Sequence, residues 1–180
     1  MIITLIGYMG SGKSIISNEL SSKLCFKNID LDNEISSEIG LSIPEIFQKK
    51  GELFFRKKEK EILERVLDSQ KDVVLSLGGG TPCYYNNIDL INERSVSVYL
   101  VANVNTLVKN LLYEREKRPL IAGIKEEELP NFVGQHLMER NRYYSKAKVA
   151  VMVNDWDLDR IVSDILTEIE KLGYEIKDKN

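Results

Sequence analysis

The sequence predicts an α/β protein, a single domain with a five-stranded parallel sheet and helices on both faces. Three observations carry that expectation. Short apolar runs alternate with helical patterns along all 180 residues, the order that builds a parallel sheet. The first run ends directly in a glycine loop that opens a helix. No repeat, charge block or low-complexity segment marks a linker or a second domain.

Met1 to Ile6 is a continuous apolar strand, and it leads into Gly7-Tyr8-Met9-Gly10-Ser11-Gly12-Lys13-Ser14, a G-x-x-x-x-G-K-S pattern. Its glycines let the backbone curl until successive N–H groups face one concavity that a phosphate chain can fill. Lys13 supplies a mobile positive charge for the outer phosphates, and the Ser14 hydroxyl is a hard oxygen suited to Mg²⁺. Ile16, Leu20 and Leu24 recur every fourth residue and give the next helix its buried face. The free N–H groups at that helix's start add to the pull on an anion.

Phe26 to Asp30 is a second strand, followed by Leu31, Asp32 and a helical Asn33 to Ile39. Carboxylates at i and i+2 at a strand's carboxyl end can face one crevice, one toward a metal and one toward a substrate hydroxyl. Alternatively, Asp32 caps the helix. Pro44 fits the first turn of a further helix, capped by Ser42 or Gly40. Ile62, Leu63, Val66 and Leu67 mark the buried side of the helix after it. Arg56, among lysines and glutamates, reads by itself as a solvated charge on that helix.

Asp72 to Leu77 is the third strand, and Gly78-Gly79-Gly80 behind it permits either close approach of a ligand to backbone or a plain flexible turn. Val96 to Val101 is the fourth strand. Val104, Leu107, Val108, Leu111 and Leu112 then trace a helix face. Arg115 and Arg118-Pro119 open a polar stretch, Leu120 to Pro130, that reads as a lid or as a surface loop. Phe132 to Tyr144 is helical and carries Arg140, Arg142 and the single histidine, His136, which is expected on the helix surface without partners. Val149 to Val153 is the fifth strand. Leu158 to Leu172 forms the cleanest amphipathic helix, with Asp157 as its cap.

A net charge of −3 leaves no basic footprint for nucleic acid. Cys25 and Cys83 lack metal-ligand spacing and are expected as reduced, apolar fillers. The opening apolar run is shorter than a signal peptide's, and no stretch approaches a membrane span. These features predict a cytoplasmic protein with no membrane or nucleic-acid partner.

Gly10-Ser11-Gly12-Lys13-Ser14, Asp30-Leu31-Asp32, the run from Ile46-Phe47 through Gly51-Glu52 to Phe55-Arg56 and Glu59, Gly78-Gly79-Gly80, Arg118-Pro119-Leu120, and Arg140 four residues before Tyr144 together resemble the shikimate kinase family in order and spacing. The Gly-Glu-x-x-Phe-Arg-x-x-Glu stretch is the specific part, because many kinases share the loop alone. The resemblance implies a P-loop kinase fold with a phosphate loop at residues 7–14, a substrate-binding helical segment near 32–62 and a lid near 117–129. It implies transfer of the γ-phosphoryl of ATP to the 3-hydroxyl of shikimate, in the pathway to chorismate and the aromatic amino acids, by a monomer that uses Mg²⁺.

Residue by residue, the resemblance implies that Gly10, Ser11, Gly12, Lys13, Ser14 and Ile15 bind ATP, and that Ser14 and Asp30 hold Mg²⁺, Asp30 through water. Asp32 would hold the acceptor hydroxyls and take the proton. Arg56 and Arg140 would grip the shikimate carboxylate beside Gly78, Gly79 and Gly80, and Arg118 would reach the phosphates from the lid. An anionic polyol calls for such guanidinium forks at one end and carboxylate or backbone partners at its hydroxyls. Ile15 and Ser17-Asn18 depart from the family's Thr and Gly-Arg, and Asn154 to Trp156 offers no adenine pattern that carries over. A gluconate-type kinase would share the loop and the aspartate without needing Gly51-Glu52, Arg56 and Arg140 together. A GTP switch would need an N-K-x-D motif, which the chain lacks.

Overall fold

β1 (Ile2–Ile6) is buried at every position, as a strand covered on both faces must be. It lies in the middle of a five-stranded parallel sheet of order β2-β3-β1-β4-β5, seen in a computed structural model that describes residues 1–69, 71–113, 121 and 123–176. The other strands are β2 (Lys27–Asp30), β3 (Val73–Ser76), β4 (Val96–Val101) and β5 (Val149–Met152). All five match the strands expected from the sequence to within a residue at each end. The chain leaves β1 for the edge strand β2 and returns through β3, so the winding switches direction beside β1. A crevice opens there over the carboxyl ends of β1 and β3.

α1 (Lys13–Leu24) buries Ile16, Leu20 and Leu24 as their spacing predicts. It also buries Ser17 and Ser21, whose hydroxyls donate to the carbonyls of Ser14 and Asn18. Cys25 ends this helix in the left-handed region, at φ 53°, and is exposed; it is a turn residue rather than the apolar filler expected. α2 (Leu31–Ile39) begins two residues before the expected Asn33. Its cap is Asp30, whose Oδ1 accepts from the Asn33 amide at 3.1 Å. Asp32 is thereby freed from capping.

α3 (Ile43–Lys50) starts at a capping box, with the Ser42 amide donating to Glu45 Oε2 at 3.0 Å and Pro44 in the first turn. α4 (Glu52–Ser69) buries Ile62 and Leu63 completely. A 3₁₀ turn (Thr81–Cys83) and α5 (Asn87–Arg94) follow β3, neither expected from the sequence. α6 is Val104–Tyr113 and α7 is Leu129–Tyr144. α7 takes Pro130 into its first turn, so the polar stretch ends at Glu128 and not at Pro130. Arg115, Arg118 and Pro119 lie outside the described residues, whereas Ile121 is fully buried. α8 (Leu158–Lys171) is capped by Asp157, which accepts from the Arg160 amide. Among the described residues no helix is long and apolar enough to cross a membrane.

Candidate active site

Register brings the site together. Asp30 on β2 and Leu5 on β1 both stand opposite Ser76 on β3, so the three strands end level. The segments that leave them, 7–14, 31–32 and 77–80, emerge side by side at one end of the sheet. They share a cavity of about 600 Å³ lined by the phosphate loop, Asp30, Asp32, Ser76, Gly78 and Gly79, with Ile15, Lys109, Asn110, Tyr113 and Trp156 at its other wall.

The loop has the conformation its glycines anticipate, with Gly10 at φ 82° and Gly12 at φ 84°. Gly12 precedes α1 with no side chain capping the helix, and no acidic residue stands in its first turn. The unsatisfied amides and the positive end of the helix dipole therefore face the cavity. Lys13 Nζ donates to the carbonyls of Gly7 and Tyr8 at 2.9 and 2.8 Å, which lays its charge along the loop. Asn110 Nδ2 donates to Gly10 O at 2.8 Å, tying α6 to the same curl. A Cβ on Gly12 would lie 2.4 Å from the Trp156 ring, so this glycine is demanded by packing as well as by φ.

The triple glycine is where the charged groups converge. A Cβ on Gly78 would lie 3.1 Å from Asp32 Oδ1, one on Gly79 3.2 Å from Arg140 Nη1, and one on Gly80 2.7 Å from Arg56 Nη2. Three successive glycines thus admit one carboxylate and two guanidiniums to the backbone, and a flexible turn would not require that. Arg56 is no solvated charge. Its side chain is only 11% exposed, lies over the Tyr84 ring at 4.1 Å, and donates through Nη1 to Glu59 Oε2 at 2.8 Å. Glu59 is buried and also accepts from Thr81 Oγ1 at 2.6 Å. These contacts fix the plane of the fork.

Arg140 comes from α7. Among the described residues no carboxylate forms an ion pair with it. It instead lies over the Tyr8 ring at 5.7 Å and interacts with the Tyr144 hydroxyl, which itself donates to Gly79 O. A guanidinium with no carboxylate partner among the described residues, placed against a glycine next to the one that meets a second guanidinium, has the chemistry to hold an anion. His136 is not a bare surface residue: its Nδ1 is 3.0 Å from Tyr8 Oη, and burial, then Arg140, lower its pKa.

Asp32 is the most perturbed carboxylate of the cavity. Burial first, then the neighbouring Asp30 and Glu59 carboxylates, push its pKa up to about 6, against the pull of Lys13 and Arg56. A carboxylate poised there can exchange a proton near neutral pH. Asp30 has a different surrounding, since its Oδ1 accepts from Asn33 N and its Oδ2 from Ser76 Oγ at 3.1 Å. Oxygen donors suit Mg²⁺, and among the described residues no cluster of three or more acidic, His or Cys side chains forms a cage. Ser14 and Asp30 beside a phosphate loop therefore fit an ion that keeps most of its waters and binds chiefly through substrate phosphates.

A phosphate loop that shares its crevice with a separate anchor for a small anion places the chain among the P-loop small-molecule kinases. Residues 9–170 match the family model described as shikimate kinase. A shikimate kinase of Flavobacterium johnsoniae is 45% identical over 165 residues, 91% of this chain and 96% of that one. The crystal structure of shikimate kinase from Bacteroides thetaiotaomicron superposes with a TM-score of 0.88 at 30% identity, covering 97% of this chain and 99% of the other. A solved structure of shikimate kinase from Acinetobacter baumannii, in complex with shikimate, gives a TM-score of 0.85 at 29% identity, covering 97% of this chain and 95% of the other. The chain belongs to the shikimate kinase family.

Lys13, Ser14, Asp30, Asp32, Arg56, Gly78 to Gly80 and Arg140 all stand at this one end of the sheet; Arg118 is outside the described residues. Four contributors were not anticipated. Glu59 and Thr81 orient Arg56, Tyr8 carries Arg140, and Trp156 lines the cavity beside Gly12. The Arg-x-x-Glu spacing of Arg56 and Glu59 was the available signal for the first.

Proposed function

We propose that this chain transfers the γ-phosphoryl of ATP to the 3-hydroxyl of shikimate, yielding shikimate 3-phosphate and ADP. The observation that carries the reading is the convergence of Asp32, Arg140 and Arg56 on Gly78, Gly79 and Gly80 beside the phosphate loop. In this reading the loop amides and Lys13 hold the phosphates, the two guanidiniums grip the acceptor's carboxylate, and Asp32 holds the acceptor hydroxyl and takes its proton. Ser14 and Asp30 would hold Mg²⁺, which when bound would supply charge neutralisation at the transferring group. Arg118 adds positive charge from the lid. The protein works as a cytoplasmic monomer.

Replacing Arg140 by Lys keeps the charge and loses the fork. The expected cost is about 1.5–3 kcal/mol, as for a charged hydrogen bond, seen as a KM for shikimate raised roughly tenfold or more while the KM for ATP stays near wild type. Steady-state kinetics with both substrates varied test this. Impaired ATP binding with normal shikimate binding would overturn the assignment.

Gly80→Ala makes the same point from the backbone. Its methyl would meet the Arg56 guanidinium at 2.7–3.2 Å, and the contacts to Glu59 and Tyr84 leave the fork little room to give. The KM for shikimate is expected to rise, and circular dichroism should show an unchanged fold. If the KM were unchanged, Arg56 would not be reading the substrate from where it stands.

A further inference from the structure

Tyr8 occupies one of the x positions of the G-x-x-x-x-G-K-S pattern, yet it is 1% exposed and its hydroxyl meets α7. A buried tyrosine hydroxyl needs a partner, and Tyr8 finds it at His136 Nδ1, 3.0 Å away. The two rings meet edge to face with centroids 5.5 Å apart. Phe132, one turn earlier on α7, backs the imidazole at 5.5 Å. Arg140, one turn later, lays its guanidinium over the Tyr8 ring at 5.7 Å. Residues 132, 136 and 140 share one face of the helix by their i, i+4 spacing, and two of them, His136 and Arg140, meet the Tyr8 side chain.

We propose that Tyr8 and His136 form a positioning pair for Arg140, with the Tyr8 ring as the platform that aims the guanidinium at Gly79 and His136 as the clamp that holds the platform in place. The pair touches neither reacting atom. It acts through Arg140, and so rests on the reading that Arg140 grips the acceptor's carboxylate. A loop residue with this task joins the nucleotide side of the crevice to the carboxylate side. Cutting the hydroxyl link loosens the platform; removing the ring removes it.

The test is a pair of double-mutant cycles read by steady-state kinetics and by shikimate titration. Tyr8→Leu is expected to raise the KM for shikimate about two- to fivefold, the size of a cation–π contact, with kcat and the KM for ATP close to wild type. Tyr8→Phe, which keeps the platform, should recover most of that loss. In an Arg140→Ala background Tyr8→Leu should add nothing further to the loss in shikimate affinity. His136→Leu, at a half-buried position that leaves the core intact, carries the test should Tyr8→Leu fail to fold. It should raise the KM for shikimate in the wild-type chain and not in Tyr8→Phe, where the link is already cut. Additive effects in either cycle, or a shift in the KM for ATP matching that for shikimate, would overturn the proposal. If Arg140→Ala alone left shikimate binding unchanged, the underlying assignment of Arg140 would fail instead, and the cycles would separate the two outcomes.

Discussion

Lys13→Ala is expected to lower turnover by about 10²–10³-fold, the scale of losing one preorganised charge donor at a phosphoryl transition state. Lys13 reaches the cavity from the first turn of α1, and its ammonium rests on the Gly7 and Tyr8 carbonyls, with no role in the apolar core. The fold should therefore survive, with a Tm within a few degrees of wild type. Single-turnover measurement at saturating ATP isolates the chemical step. Near-normal turnover with unchanged ATP affinity would sink the phosphate-loop reading.

Asp32→Asn is expected to cost turnover about 10²–10⁴-fold, the range for a positioned general base. Asn keeps the shape beside Gly78 but has no lone pair basic enough to accept the hydroxyl's proton. Since only the ionised form of Asp32 acts, kcat/KM in the wild-type enzyme should fall as pH drops through about 6. His136→Leu should keep that acid limb, which assigns it to the carboxylate and not to the imidazole.

Stability runs the other way. The folded pKa of Asp32 lies above its ordinary value, so its contribution is fully present below the unfolded value and lost as pH rises through about 6. At neutral pH the buried charge, set against Asp30 and Glu59, destabilises the fold, and Asp32→Asn should hold or raise Tm. A variant that loses both activity and stability would mark Asp32 as a structural carboxylate.

How much of this was legible in the sequence follows from where each contact comes from. The phosphate loop could be read because strand, glycines, Lys13 and Ser14 are contiguous and act through backbone. Arg56 could be read only through the family resemblance, because its burial depends on Tyr84 and Gly80, which arrive from another element; the lysines that follow it, Lys57 and Lys58, make it read locally as a solvated charge. His136 looked isolated for the same reason, since its partner Tyr8 is 128 positions away. The sequence offered Asp32 as a helix cap, whereas the cap is Asp30. Only the backbone decides, with Asp30 extended at φ −106° and Asp32 already inside the helix. α5 escaped notice because a helix of eight residues with Ile88 and Ile91 as its buried apolar positions is too short for periodicity to register.

In the proposed reaction, one end of this sheet pairs a phosphate donor with an anionic polyol held by its carboxylate. ADP release by the purified chain, measured with ATP and Mg²⁺ and with shikimate, gluconate or no acceptor, addresses it most directly. The expected result is rapid ADP release that saturates with shikimate, one phosphate transferred per ADP, and only background release with gluconate or with water alone. Release that is indifferent to shikimate, or faster with gluconate, would contradict it.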